Sequence, residues 1–237
     1  MGKLYRYECR RLLWNQFFVG LVAVLLGYGA LVLRGVTILG VSHTAPFSPW
    51  SFGDYLSRML PLLWIGALFF LTFFTSHKAR RAAALTEAAP MRPARYTLAR
   101  CAAAFTGTVM LALLCIVEAA VFYGRMFGWY DWGSLVFPAL VTLLPPLVFA
   151  LGSGWVLGQL RPWLPYVWMA APVLLAVLPL PEVLGLWDGS FFTAYPLTLE
   201  GLDPAFALPW VMVMVQMLLL VAGITLLVFG SKQRSLS

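Results

Sequence analysis

The sequence predicts an all-α membrane protein with six transmembrane helices, both termini cytoplasmic, an N-terminal interfacial helix and re-entrant outer helices before the last span. Of the 237 residues, 62% are hydrophobic and only 11% are charged, whereas soluble domains carry about 25% charged residues. The apolar residues form six runs, each near the ~20 residues that a bilayer core requires. Lys and Arg cluster at alternate ends of these runs, as expected when basic residues remain in the cytoplasm.

Residues 1–15 are predicted to form an amphipathic helix in the headgroup layer. Basic residues recur along one side at Lys3, Arg6 and Arg10. The neighbouring apolar stripe consists of Tyr5, Cys9, Leu12 and Leu13. The basic side would face anionic lipid, which makes membrane lipids an expected partner. A basic cytoplasmic tail without this orientation is the alternative.

Residues 16–237 are predicted to form one six-helix transmembrane domain. The predicted spans cover about residues 16–33, 55–76, 98–123, 134–157, 164–180 and 208–230. With both termini inside, 13 of the 16 Lys and Arg residues lie on the cytoplasmic side, and six of the nine acidic residues lie outside. This asymmetry explains the net charge of +7 without nucleic acid, which we do not expect as a partner.

The segment 77–100 between the second and third spans is predicted to be a cytoplasmic coupling loop. It carries six of the 16 basic residues and one acid, Glu87. Residues 82–89 favour a helix, Pro90 would end it, and Pro93 can open the next helix in its first turn. A short, stiff element tied to the membrane at both ends is a suitable docking surface for a cytoplasmic partner.

The outer segment 181–207 is too aromatic for a simple solvated loop. Its aromatic residues include Trp187, Phe191, Phe192 and Tyr195. We expect one or two short helices that dip back into the outer leaflet, where irregular backbone survives only against protein or water. A loop lying in the aromatic belt at the interface is the alternative.

The sequence offers little chemistry for catalysis. The two histidines, His43 and His77, are predicted on opposite sides of the membrane and cannot share a metal ion. Ser153 has no general base in a span, so a small packing residue is the favoured interpretation. No GxxxxGK[ST] phosphate loop occurs in the sequence, which predicts that this chain is not an enzyme and does not hydrolyse nucleotide.

Two polar residues inside the spans are candidates for a substrate path, Glu118 and Gln216. An intramembrane carboxylate is a functional candidate by default, although Glu118 lies seven residues before Arg125 on roughly the same helix face. A structural ion pair at the rim is therefore the alternative. Gln216 is alternatively a hydrogen-bonding contact between helices. Asp54 and Arg58, at i and i+4, are expected to pair at the start of the second span.

The layout and the sequence TEAAPMRPARYTLARC (residues 86–101) resemble the permease subunits of type-2 ABC transporters, which are mostly bacterial exporters. The resemblance implies a multi-pass protein of the bacterial cytoplasmic membrane. It implies that two permeases, identical or related, form the translocation path, and that each binds one of two separate ABC ATPase subunits. ATP and Mg would be bound by those partners, with no cofactor in this chain. The coupling residues implied by the resemblance are Glu87, Ala88, Ala89, Pro90, Met91 and Arg92.

Other functions remain open on the sequence. An ion- or proton-coupled small transporter should carry more charge inside the membrane. A membrane-embedded enzyme should carry a nucleophile and a base. A non-transporting assembly or immunity subunit is also compatible, because a fold does not fix a function.

Overall fold

The computed structural model describes residues 2–75, 93–178, 181–199, 201 and 203–233, and every regular element in these residues is helical. Five helices are long and apolar enough to cross a membrane, which confirms an all-α, multi-pass membrane protein. The helices are α1 (Gly2–Leu13), α2 (Gln16–Gly35), α3 (Pro49–Thr75), α4 (Pro93–Phe127), α5 (Gly133–Leu160), α6 (Leu164–Trp168), α7 (Ala171–Val177), α8 (Gly185–Asp188), α9 (Ser190–Ala194) and α10 (Trp210–Gln233).

Helices α3 and α5 form the centre of the bundle. In their most apolar segments 67% of the residues are buried, against 22% in α2 and 17% in α10. The two central helices run parallel, since Trp64 lies 6.1 Å from Phe149 between ring centroids and Gly154 lies against Leu68 further along. The peripheral helices present large apolar side chains outward, as expected of a surface that faces lipid.

Helices α2 and α4 run antiparallel to α3. Along α2, Phe17 lies 6.0 Å from Phe69, whereas Gly29 lies against Tyr55 near the start of α3. Along α4, Tyr123 lies 6.4 Å from Phe52. Helix α4 is described from Pro93 onward.

Helix α10 runs parallel to α5. Phe206, just before α10, lies 5.8 Å from Phe137 near the start of α5. Further along, a Cβ added to Gly223 would lie 2.7 Å from the backbone nitrogen of Phe149, so the two backbones nearly touch. Because both helices start at the same end of the bundle, residues 161–209 must carry the chain back along its length.

The span predicted at about residues 164–180 is not a single long helix. The structure has two short helices there, α6 with 5 residues and α7 with 7 residues, and residues 179 and 180 lie outside the described part of the chain. Pro172 stands in the first turn of α7, where its missing N–H costs nothing, whereas it could not continue α6. The apolar stretch Leu164–Val177 is therefore shorter than the five long helices.

The segment that follows packs over the start of α3. Phe192 fills the space beside Gly53, and the indole N–H of Trp50 donates a hydrogen bond of 2.8 Å to the carbonyl oxygen of Pro204. Trp187 reaches Trp64, with ring centroids 5.2 Å apart, about four turns from the start of α3. The described residues of segment 181–207 thus pack as part of the bundle.

Candidate functional site

The six residues predicted to couple to an ATPase, Glu87, Ala88, Ala89, Pro90, Met91 and Arg92, lie outside the described residues. The structure describes the two helices that flank them: α3 ends at Thr75 and α4 begins at Pro93.

Arg100 ties these two flanking helices to α1. Its guanidinium lies 4.0 Å from the ring centroid of Tyr96 on α4 and 5.6 Å from that of Phe74 on α3. Its Nε lies 3.6 Å from the Oε1 of Glu8 on α1, and both residues are only 1% exposed. Glu8 also lies 4.0 Å from Arg11 on its own helix. Removing Arg100 from this buried pair would leave a buried charge poorly compensated, which is costly.

Two further contacts hold α1 on α4. The hydroxyls of Tyr5 and Thr106 lie 2.7 Å apart, and Leu12 packs against Gly107. The basic residues Lys3, Arg6 and Arg10 are exposed on the other side, in agreement with the predicted amphipathic pattern.

Sequence reasoning missed Glu8. The signal was present, because Glu8 lies three residues after Tyr5 and four before Leu12, on the apolar face rather than the basic one. An acid on that face predicts a buried basic partner, but the sequence does not say that the partner is Arg100.

Glu118 lies where α2, α3 and α4 meet. One of its carboxylate oxygens, Oε2, accepts a hydrogen bond of 3.3 Å from the hydroxyl of Tyr55, and the same hydroxyl lies 3.3 Å from the carbonyl oxygen of Cys115. A single O–H is therefore shared between two acceptors. Helix α2 makes room with Gly29, at which a Cβ would overlap the carboxylate.

The ion pair with Arg125, the alternative role of Glu118, is not formed between these two residues. Seven residues correspond to about 10 Å along a helix, and the side chain of Arg125 is exposed without an ion pair to any described residue. Glu118 is partly buried and has one shared neutral donor. This carboxylate is therefore poorly compensated, and an ionised side chain within a membrane span is costly.

The expected pair of Asp54 and Arg58 is confirmed. The Nε of Arg58 donates to Oδ2 of Asp54 over 2.8 Å. Gly189, with a φ of 82°, places the turn between α8 and α9 against the same carboxylate. The charge of Arg58 is thus balanced on its own helix.

Gln216 lies elsewhere, on the face of α10 that also carries Gly223 and packs against α5. It is 4% exposed, and neither its amide nitrogen nor its amide oxygen has a hydrogen-bond partner among the described residues. The structure shows no contact that joins it to Glu118, whose partners belong to α2, α3 and α4. The two candidate path residues are therefore separate polar positions.

Ser153 connects α5 to the returning chain. Its hydroxyl donates to the carbonyl oxygen of Phe149 over 2.7 Å and accepts from the indole N–H of Trp168 over 2.9 Å. These bonds give it a structural role. In the part of the chain that the structure describes, no group of His, Cys, Asp and Glu side chains could hold a metal ion.

No protein-family model, curated protein or solved structure matches this chain.

Proposed function

We propose that this protein is the transmembrane permease subunit of an ATP-driven ABC exporter. The observation that carries the proposal is the basic segment 77–100, with its Glu87–Arg92 motif, set between two long apolar helices, α3 and α4. A cytoplasmic motor needs a rigid handle on a membrane-embedded partner, and this segment carries six of the 16 basic residues. The absence of a phosphate-loop motif in the sequence supports ATP binding, with Mg, in a separate chain.

The proposed arrangement has six crossings, both termini in the cytoplasm and segment 77–100 facing the cytoplasm. The parallel course of α5 and α10 supports it, because residues 161–209 have to run back between them as the additional crossing. The short helices of residues 161–209 can lie at membrane depth because they pack against protein, as Trp168 does on Ser153. Segment 181–207 would dip into the outer leaflet, and α1 would lie in the inner headgroup layer with its basic side toward anionic lipid.

In this arrangement two ATPase subunits and a second permease complete the transporter. Closure of the ATPases would press on Glu87–Arg92, and the force would enter the bundle through the end of α3 and the start of α4. Arg100 contacts side chains on both of these helices and on α1, so the three would move as one unit. Glu118 and Gln216 are the proposed polar positions along the substrate path.

Co-purification and coupling test this proposal. A tagged chain should retain an ATP-hydrolysing subunit, and Glu87→Ala or Arg92→Glu should abolish transport and the stimulation of ATPase activity while leaving the thermal unfolding midpoint unchanged. Arg81→Glu makes the same charge change as Arg92→Glu outside the motif and should retain most activity. Wild-type transport by both motif variants would refute the coupling role.

An ion- or proton-coupled transporter is the second candidate. The poorly compensated carboxylate of Glu118 favours it, because ionisable residues within spans are typical of ion pathways. Reconstituted vesicles distinguish the two. Transport driven by an ion gradient without ATP, and lost in Glu118→Gln, would support this candidate against the ABC permease.

A further inference from the structure

We propose that Glu118 forms a binding site for lipophilic organic cations, entered from the outer half of the bundle between α2 and α4. This inference deepens the proposed function, because such cations would be the cargo of the permease, but the site itself rests on geometry alone.

The first support is the unmatched charge of Glu118. The nearest donor is the Tyr55 hydroxyl, which it shares with the carbonyl oxygen of Cys115. Arg58, one turn beyond Tyr55 on α3, is already paired with Asp54 at 2.8 Å, and Arg125 makes no ion pair with a described residue. A positively charged ligand would supply what the surrounding protein lacks.

The second support is the glycine that lets the carboxylate lie directly against α2. Gly29 removes the side chain that would otherwise occupy the position of Oε2. In contrast, Gly20 and Gly27 on the same helix have nothing within 4 Å of an added Cβ. Of these three glycines, only Gly29 faces the carboxylate, so only there would an added side chain disturb it.

The third support is the partial exposure of Glu118 and the apolar, aromatic surface of the helices around it. Glu118 is partly exposed and lies about two and a half turns before the end of α4 at Phe127. Tyr28, the residue before Gly29 on α2, is 41% exposed and presents an aromatic ring. An apolar surface with aromatic rings and one carboxylate suits a delocalised cation, because rings attract cations and the carboxylate adds charge. An inorganic cation would need several oxygen ligands, and the described residues offer no such cluster.

The test measures equilibrium binding of tetraphenylphosphonium to the full-length chain in nanodiscs, without ATP or partner subunits. Tetraphenylborate, of the same shape and opposite charge, reports partition into the lipid. We expect Glu118→Gln to weaken tetraphenylphosphonium binding at least tenfold, and Gly29→Ala to weaken it severalfold with the charge retained. Glu118→Asp, which keeps the charge, should stay within a few-fold of wild type, and neither ion should respond to Gly27→Ala.

Asp131→Asn is the matched control for charge. It removes one exposed acid in the loop between α4 and α5 and should leave binding unchanged. Equal binding by wild type and Glu118→Gln, or equal losses in Glu118→Gln and Glu118→Asp, would overturn the proposal. A loss in Asp131→Asn as large as in Glu118→Gln would also overturn it, by showing a general effect of charge. Binding that survives in a chain that pairs with no ATPase would refute only the permease function.

Discussion

Two carboxylates of the bundle, Glu8 and Glu118, have different surroundings in the structure. Glu8 is 1% exposed and faces Arg100 at 3.6 Å, whereas Glu118 is partly exposed and has a share of one tyrosine hydroxyl. The first is an internal charge pair that fixes α1 to the helices beside the basic segment. The carboxylate of Glu118 has no positively charged partner among the described residues. A buried carboxylate therefore acquires its role from the charge that faces it, not from its depth.

The largest expected effect on stability comes from the pair of Glu8 and Arg100. Arg100→Met leaves the buried carboxylate of Glu8 with only the half-exposed Arg11, whose Nη1 lies 4.0 Å from Oε2, and should lower the free energy of unfolding by about 3–5 kcal/mol. Glu8→Met combined with Arg100→Met should recover most of this loss, because two apolar side chains replace two charges. Unfolding in mixed micelles measures both variants.

Arg125→Met is the control for that experiment, since it removes an exposed arginine from the same helix. It should change stability by about 0.5 kcal/mol at most. Equal stability of Arg100→Met and Arg125→Met would show that the Glu8 pair does not hold α1.

A smaller effect is expected beside Glu118. Gly29→Ala adds a methyl group where the carboxylate lies and should cost about 1–3 kcal/mol, as overpacking does. Gly27→Ala, in open space on the same helix, should be neutral within about 0.5 kcal/mol. If the two alanine variants unfold at the same temperature, α2 does not pack on Glu118 as described.

The smallest effect is expected from the hydrogen bond itself. Tyr55→Phe removes one neutral donor and should cost about 0.5–1.5 kcal/mol. Combined with Glu118→Gln, the loss should be less than additive, because the two side chains share the contact. Tyr130→Phe is the control, since the Tyr130 hydroxyl makes only an exposed bond of 3.4 Å. Strict additivity of Tyr55→Phe and Glu118→Gln would argue that the bond contributes nothing.

The sequence predicts the apolar helices well because lipid imposes length and composition on each one separately. It also identifies Glu118, since a charge inside an apolar run is visible locally. The partners of these residues depend on contacts between distant segments: Arg100 for Glu8, and Tyr55 with Gly29 for Glu118.

The prolines also show that the local sequence does not decide where a helix ends. The helix of α5 continues through Pro145 and Pro146, where α3 and α10 cover it, whereas the chain breaks ahead of Pro172. The residue type is the same, and the surrounding packing decides whether the helix continues. Such packing is not readable from the local sequence, so the range 164–180 alone does not show that the chain forms two short helices there.

The side of the membrane that carries segment 77–100 tests the central claim most directly. In a chain whose native cysteines are replaced by serine, Glu87→Cys and Asp131→Cys are labelled separately with a membrane-impermeant maleimide. We predict that Glu87→Cys reacts only in inside-out vesicles and Asp131→Cys only in intact cells. Labelling of Glu87→Cys from outside intact cells would contradict the account, because no cytoplasmic ATPase could then bind this segment.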